Sequence, residues 1–198
     1  MVEEDGFHGG LRSHHSSSSK MLSHSMKTSS TTNASDTFPL NVGYIASYCK
    51  KKFGKNVDIR IFKYVKNLES AIRENPPNIL GLSNYQWNFN FGLAFFELVK
   101  KLSPNTITVM GGPNVPHVSS EREEFLHNNP LIDFYVMNEG EAGFSNLVEK
   151  VFDVPDNIKK LKLNPVDGIV HQIDSKEIIM GSMLKRVKTL DEVPSPYL

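Results

Sequence analysis

The stretch NILGLSNYQWNFNFGLAFFELVKKLSPNTITVMGGP, residues 78–113, contains a complete strand–helix–strand unit. Its two ends, 78–83 and 106–110, are short apolar runs typical of buried strands. Between them, large apolar side chains recur every three or four positions, as expected of a helix from about 90 to 103: Phe91, Phe95, Leu98, Val99 and Leu102. Two strands joined through a helix are parallel, so this stretch predicts a parallel sheet.

The same alternation of strands and helices continues on both sides of this unit. The further predicted elements are a helix at 42–53, a strand at 57–64, a helix at 67–73, a short helix opened by a capping box of Ser120 and Glu123, a strand at 132–137 and a helix at 144–152. Four alternations predict an α/β fold, a flavodoxin-like or Rossmann-like doubly wound parallel sheet with helices on both faces.

The two ends of the chain differ in composition from this regular region. Residues 1–36 are rich in Ser, Thr and His and almost free of large apolar side chains, which predicts a disordered tail. Residues 37–153 form the expected α/β domain. Residues 154–198 are expected to form a linker to 166, a β-hairpin from 168–173 and 177–180 that packs on the sheet edge, and a proline-stiffened exit toward a further domain.

Composition excludes several classes of protein. The 22 Lys and Arg residues balance 22 Asp and Glu residues, which argues against a binder of nucleic-acid phosphates. No run of about 18 apolar residues is present to span a membrane. Cys49 is the only cysteine, so the chain can form no internal disulfide and cannot by itself hold an iron–sulfur cluster or another thiolate metal site. With no apolar leader after Met1, we expect a cytoplasmic protein that contacts neither nucleic acid nor membrane.

Three loops at the carboxyl ends of the predicted strands, where open parallel sheets bind ligands, carry candidate site residues. The first combines hydroxyl and amide groups with the only tryptophan: Ser83, Asn84, Tyr85, Trp87 and Asn88. The second, Gly111-Gly112-Pro113, lets a ligand approach the backbone. The third, Glu139-Gly140-Glu141, places two carboxylates at a helix start. Each loop also has a simpler explanation: a tight turn for the glycines, core packing for Trp87, and neutralisation of helix N-terminal amides for the glutamates.

Taken in order, these loops and their flanks resemble the N-terminal cobalamin-binding domain of cobalamin-dependent radical S-adenosylmethionine proteins. The resemblance covers about four fifths of the chain. Five segments carry it: PLNVGYIASY at 39–48, GLSNYQWN at 81–88, VMGGP at 109–113, DFYVMNEGE at 133–141 and LDEVPSPYL at 190–198. Each segment is weak alone, and the specificity comes from all five in this order.

The resemblance implies that a corrin ring lies over the strand ends while its nucleotide tail enters a slot lined by Ser83 and Gly111-Gly112. Tyr85, Trp87 and Asn88 would supply aromatic surface and hydrogen-bond partners for the amide-fringed ring. No Asp-x-His-x-x-Gly motif is present, so cobalamin is expected to bind without a protein histidine on cobalt.

The relatives use a 4Fe–4S cluster and S-adenosylmethionine in a domain downstream, for methyl transfer or related radical chemistry. Because this chain holds a single cysteine, it cannot build that cluster by itself. It is therefore expected to bind cobalamin without catalysing a reaction on its own. The radical S-adenosylmethionine domain would be its partner in a longer parent protein.

The family pattern begins with a hydrophobic strand ahead of Pro39, and here that strand is poor. The segment KMLSHSMK, residues 20–27, holds only three large apolar residues. We therefore expect either an incomplete sheet of about four parallel strands or a gap filled by this segment.

Two other functional classes stay open. A nucleotide-sugar or flavin-binding enzyme domain would want a multi-glycine phosphate fingerprint, and a receiver-like interaction module would want an acidic cluster after its first strand.

Overall fold

A mixed seven-stranded sheet organises the residues that the computed structural model describes, namely 20–24, 39–154, 157–174, 177–186 and 189–197. Its strands are β1 (Lys20–His24), β2 (Asp58–Arg60), β3 (Ile79–Ser83), β4 (Ile107–Gly111), β5 (Phe134–Val136), β6 (Ile169–Gln172) and β7 (Ile178–Met180). They are ordered β2-β1-β3-β4-β5-β6-β7. The first five are parallel, as in a flavodoxin-like sheet, and β6 and β7 extend the edge as an antiparallel hairpin. The predicted fold class and the edge hairpin are confirmed.

Six helices cover the two faces of the sheet within the described residues. They are α1 (Leu40–Phe53), α2 (Val65–Glu74), α3 (Phe89–Leu102), α4 (Ser119–His127), α5 (Gly140–Asp153) and α6 (Ile158–Lys162). One core lies between the sheet and α1, α5 and α6, and includes Cys49, Leu147 and Leu161. The other lies between the sheet and α2, α3 and α4. Cys49 is fully buried, and desolvation raises its thiol pKa to about 12, so it is a core residue.

The interior strand β1 corrects the prediction that residues 1–36 are all disordered. Lys20–His24 pairs in parallel with β2 on one side and β3 on the other, with Met21 opposite both Ile59 and Ile79. Of the two sequence-based alternatives, the structure takes the filled gap. Backbone ladders on both sides need no apolar side chain, which explains how so poor a segment takes this place. The remaining tail residues, 1–19 and 25–36, lie outside the described part.

Two other local predictions are wrong. Helix α4 begins at Ser119, one residue before the predicted capping box, with Val118 as N-cap and no side-chain cap. Ser120 therefore lies in the first turn, where it cannot cap the helix. The predicted linker from 154 to 166 contains α6, whose Asn157 caps it by accepting a hydrogen bond from the Lys160 amide.

A buried ion cluster ties the amino ends of β4 and β5 together. The Asp133 carboxylate is 8% exposed and accepts hydrogen bonds from Lys100 Nζ at 2.6 Å, Lys162 Nζ at 2.9 Å, and the Thr108 amide and hydroxyl at 2.9 and 2.8 Å. Burial alone would raise the pKa of Asp133. The Lys162 and Lys100 ammonium groups and the hydrogen bonds outweigh it, so the pKa lies below its ordinary value. This end of the sheet is fixed by charge and lies opposite the candidate site.

Candidate functional site

Small residues at the carboxyl ends of the central strands open a slot beside the sheet. On the face toward α1 and α5, the strands carry Ile79, Ile107 and Phe134 near their amino ends. Two residues further along, the side chains on this face alternate with the pleat and become glycine or valine: Gly81, Val109 and Val136. Ser83 and Gly111 then end β3 and β4. The sheet therefore recedes from the helices toward its carboxyl edge.

A cavity of about 450 Å³ fills the space that this taper leaves. The sheet forms one wall and helices α1 and α5 form the other, with the three strand-end loops at its mouth. The inner part of its helix-side wall is apolar and comes from Val42, Ile45 and Phe144, whereas Asn41 and Glu141 lie in the first turns of α1 and α5. The volume lies in the range of pockets for small-molecule ligands, roughly 300–1,000 Å³.

The loop after β4 passes so close to the loop after β3 that only glycine fits at Gly112. This residue has a φ of +134°, and a Cβ there would lie 2.5 Å from the Asn84 carbonyl oxygen. The contact is held by a hydrogen bond of 2.6 Å from the Asn84 amide to the Gly111 carbonyl. Gly112 is therefore required for backbone packing, and the same absence of a side chain leaves its peptide accessible to a ligand in the slot.

The fully buried Asn84 joins the two loops through its side-chain amide. Its Nδ2 donates to the Asn114 carbonyl at 2.9 Å and to the Tyr135 hydroxyl at 3.0 Å, and its Oδ1 accepts from Asn114 Nδ2 at 3.1 Å. The Tyr135 hydroxyl in turn donates to the Gly112 carbonyl at 2.8 Å. Desolvation raises the pKa of Tyr135, so the hydroxyl stays a donor. Asn84 shapes the site and does not line it.

Aromatic rings of the loop after β3 stand beside the mouth of the cavity. Tyr85 and Trp87 are stacked, with ring centroids 4.7 Å apart and planes 12° from parallel. The Tyr85 hydroxyl accepts a hydrogen bond of 2.9 Å from Asn41 of α1. Trp87 is 57% exposed, so its alternative interpretation as core is wrong. Asn88 is buried, and its Oδ1 accepts from the Tyr85 amide at 2.8 Å, which fixes the turn that presents the rings.

The loop after β5 turns sharply into α5 at the opposite side of the mouth. Asn138 has a φ of +56°, a left-handed conformation that asparagine tolerates better than most residues. Gly140 starts α5 against α1, where a Cβ would lie 2.5 Å from Ile45 Cδ1. Glu139 and Glu141 flank this contact, and both line the cavity. Their place at the N-terminus of α5 also suits the helix dipole, so both interpretations of these glutamates stay predictions.

The structure brings together eight of the eleven sequence-predicted site residues around the cavity: Ser83, Tyr85, Gly111, Gly112, Pro113, Glu139, Gly140 and Glu141. Asn84, Trp87 and Asn88 do not line it. Sequence reasoning missed four residues of the two helices, five strand residues and four loop residues: Asn41, Val42, Ile45 and Phe144; Gly81, Leu82, Val109, Met110 and Val136; Val115, His117, Met137 and Asn138. The apolar members of this set have the spacing of ordinary core residues, and only the quoted resemblance at 39–48 pointed to α1.

Two searches of the described residues bear on other kinds of site. Within the described ranges, no group of three or more His, Cys, Asp or Glu side chains is placed to hold a metal ion. None of the helices found there is both long enough and apolar enough to cross a membrane.

Comparison with known proteins gives concordant matches. A family model for the B12 binding domain matches residues 27–148. The 2-(S-pantetheinyl)-carbapenam-3-carboxylate methyltransferase of Streptantibioticus cattleyicolor is 30% identical over 171 residues, which are 84% of this chain and 24% of that protein. The cobalamin-dependent radical SAM methyltransferase TokK of Streptomyces tokunonensis is 34% identical over 123 residues, which are 62% of this chain and 17% of that protein.

A solved structure shares the fold. The cobalamin-dependent S-adenosylmethionine radical enzyme OxsB, with aqua-cobalamin and S-adenosylmethionine bound, superposes with a TM-score of 0.65 at 20% sequence identity. The match covers 87% of this chain and 23% of that one. The chain thus spans about a quarter or less of the length of the two methyltransferases and of OxsB.

Proposed function

Since the chain belongs to the B12-binding domain family, for which cobalamin is the cofactor, we propose that its slot holds the nucleotide tail of cobalamin and that the corrin ring lies over the carboxyl ends of β3, β4 and β5. The observation that carries this placement is the taper of the sheet, which opens a cavity of about 450 Å³ where the strand residues are glycine and valine.

The residues present fit such a group. A cavity of this size takes the tail and leaves the much larger corrin ring outside, against the strand-end loops. At Gly111 a Cβ would already lie 3.2 Å from Val136 Cβ, so the tail can pass β4 only because no side chain projects there. The partly exposed backbone of Gly112 offers polar atoms to the ribose and phosphate of the tail.

The loops around the mouth suit the ring and its amide side chains. The stacked pair of Tyr85 and Trp87 offers a broad, partly exposed aromatic surface on which a flat macrocycle can pack. Glu139 and Glu141 on the other side place carboxylate acceptors where primary amides can donate to them. Asn84 and Asn88 do not line the cavity. They support the site indirectly, because their internal hydrogen bonds hold its loops in place.

In a longer protein, we propose that this domain serves a methyltransferase or a related radical enzyme, as the names of the two curated relatives suggest. When bound, cobalamin supplies a cobalt centre for group-transfer chemistry. A radical S-adenosylmethionine domain in cis would supply the 4Fe–4S cluster and S-adenosylmethionine, because Cys49 is the only cysteine here and is buried. The chain itself would bind and not turn over, in the cytoplasm and without nucleic acid or membrane as partner.

A binding experiment with three ligands tests the proposal. The purified chain is incubated separately with hydroxocobalamin, flavin mononucleotide and a nucleotide sugar, desalted, and examined for retained absorbance and a thermal shift. Retention of the corrinoid alone supports the proposal. A folded sample that stays colourless after hydroxocobalamin, or that retains flavin mononucleotide or the sugar instead, contradicts it.

The aromatic seat is tested by Trp87→Ala. Loss of the ring contact should weaken hydroxocobalamin binding about ten- to a hundredfold, corresponding to roughly 1–3 kcal/mol. Leu163→Ala is the matched control, because Leu163 is 62% exposed and follows α6, at the far end of the sheet from the cavity. Parental affinity in Trp87→Ala would remove this residue from the site and leave the slot in place.

A further inference from the structure

The inner part of the slot offers a ligand almost no hydrogen-bond partner. Its helix-side wall is formed by Val42, Ile45 and Phe144, and its sheet-side wall by Val109 and Val136. These five side chains are apolar. The charged and amide residues that line the cavity come from the loop after β5 or from the first turns of α1 and α5, at the mouth: Asn41, Asn138, Glu139 and Glu141.

The backbone of the inner slot is also already engaged. Gly81 pairs with Val109, and Gly111 pairs with Val136, in continuous parallel ladders. Peptide groups in such ladders lie in the plane of the sheet and do not face the slot. Ile45 and Phe144 lie within α1 and α5, where helical hydrogen bonds occupy the peptides, and Val42 lies in the first turn of α1, where its carbonyl is directed along the helix. A polar group pushed deep into this slot would therefore lose its hydrogen bonds to water without replacement.

From this pattern we infer that the slot selects corrinoids by the base at the end of their nucleotide tail, and that it favours an apolar benzimidazole over a purine. This inference rests on the proposed function, because it needs the tail to enter the slot. Dimethylbenzimidazole presents methyl groups and few polar edge atoms. Adenine carries an exocyclic amine and several ring nitrogens, each of which costs free energy when buried without a partner.

Val109 is the residue on which the selectivity can be tested. It lies on the central strand β4, is 2% exposed, and precedes Gly111 on the same face, so it forms the floor of the slot. Val109→Thr keeps the shape of the side chain and introduces a hydroxyl that can donate and accept hydrogen bonds. The hydroxyl should strengthen binding of a corrinoid whose base is a purine and weaken binding of one whose base is a benzimidazole. The preference for cobalamin should therefore fall.

The experiment measures dissociation constants of hydroxocobalamin and of the corresponding adenine-containing cobamide, by absorbance titration, for the parent chain and for Val109→Thr. The free cofactors differ in how firmly the base holds cobalt, but this difference cancels in the change of the affinity ratio between parent and variant. We expect the ratio to move toward the adenine form by about threefold to tenfold. Val148→Thr is the matched control, since Val148 of α5 is buried in the core on the same side of the sheet but does not line the cavity, and its ratio should stay at the parental value.

The outcomes distinguish a failure of the inferred base selectivity from a failure of the proposed function. An unchanged ratio in Val109→Thr, with cobalamin still bound, overturns the inference and leaves the proposed function standing. If Val109→Thr does not fold, Val136→Thr makes the same test from β5. If the folded parent binds neither corrinoid, the proposed function itself is wrong.

Discussion

Replacing Gly112 with alanine is the most direct test of how the site is built, because this glycine is required by two independent features. Its φ of +134° lies in a region that is essentially restricted to glycine, and forcing another residue there costs on the order of 1–3 kcal/mol. The added Cβ would also lie 2.5 Å from the Asn84 carbonyl oxygen, well inside the usual C···O contact of about 3.3–3.6 Å.

The two loops must therefore separate in Gly112→Ala. Separation strains the hydrogen bond from the Asn84 amide to the Gly111 carbonyl and the one from the Tyr135 hydroxyl to the Gly112 carbonyl. Loss of one such bond costs about 1 kcal/mol. Together with about 2 kcal/mol of backbone strain, we expect the free energy of unfolding to fall by about 3 kcal/mol. Hydroxocobalamin affinity should fall at least tenfold, because the displaced loop lines the slot.

Urea unfolding and corrinoid titration measure the two effects, and Gly54→Ala separates strain from contact. Gly54 also has a positive φ, +57°, but no atom lies within 4 Å of a Cβ built there. Its φ of 57° and ψ of −123° also lie outside the left-handed helical region, so its replacement should cost only the backbone strain, about 2 kcal/mol, and leave binding unchanged. If Gly112→Ala unfolds like Gly54→Ala and binds hydroxocobalamin like the parent, the argument from close approach is wrong.

Two further predictions concern stability. Asp133→Asn should lower the free energy of unfolding by about 3 kcal/mol in urea at neutral pH, because it leaves Lys100 and Lys162 without their buried carboxylate. The pKa of Asp133 is depressed in the folded state, so this carboxylate stabilises the fold above its unfolded pKa of about 3.9, and that stabilisation is lost as the pH falls through the folded pKa. Below about pH 4 the free energy of unfolding should therefore fall more steeply in the parent than in Asp133→Asn. Parallel acid profiles would refute this. Tyr135→Phe should cost about 1–2 kcal/mol in urea and weaken hydroxocobalamin binding severalfold, since the Gly112 carbonyl loses its donor; unchanged stability and affinity would show that the hydroxyl does not hold the loop.

The regular part of the fold could be predicted because its signals are local. The run of apolar residues at 78–83 and the stripe from Phe91 to Leu102 specify a strand and a helix wherever they lie. The apolar strand run at 106–110, followed by two glycines, likewise marked a strand end at the ligand-binding edge. Together with the strand run at 132–137, these patterns were sufficient to predict eight of the residues that line the cavity.

What could not be predicted depends on tertiary context. Lys20–His24 is a strand because two neighbouring strands pair with it, and its own composition favours no strand. Val42 and Phe144 have the spacing of core residues, and only the taper of the facing sheet turns them into a cavity wall. Asn84 and Asn88 were predicted as ligand contacts from their chemistry, but an amide that binds a ligand and one that holds a loop look alike in sequence.

The ion cluster at Asp133, which stabilises the sheet, and the cavity, where a ligand would bind, lie at opposite rims of the sheet. The cluster joins α3, α6, β4 and β5 at the amino rim, while the strand-end loops around the cavity begin at the carboxyl rim. A lineage that diversifies its cofactor chemistry can therefore exchange residues at the carboxyl rim without disturbing the charges that anchor the scaffold. The same division gives a protein engineer a place to add stability with little consequence for ligand choice.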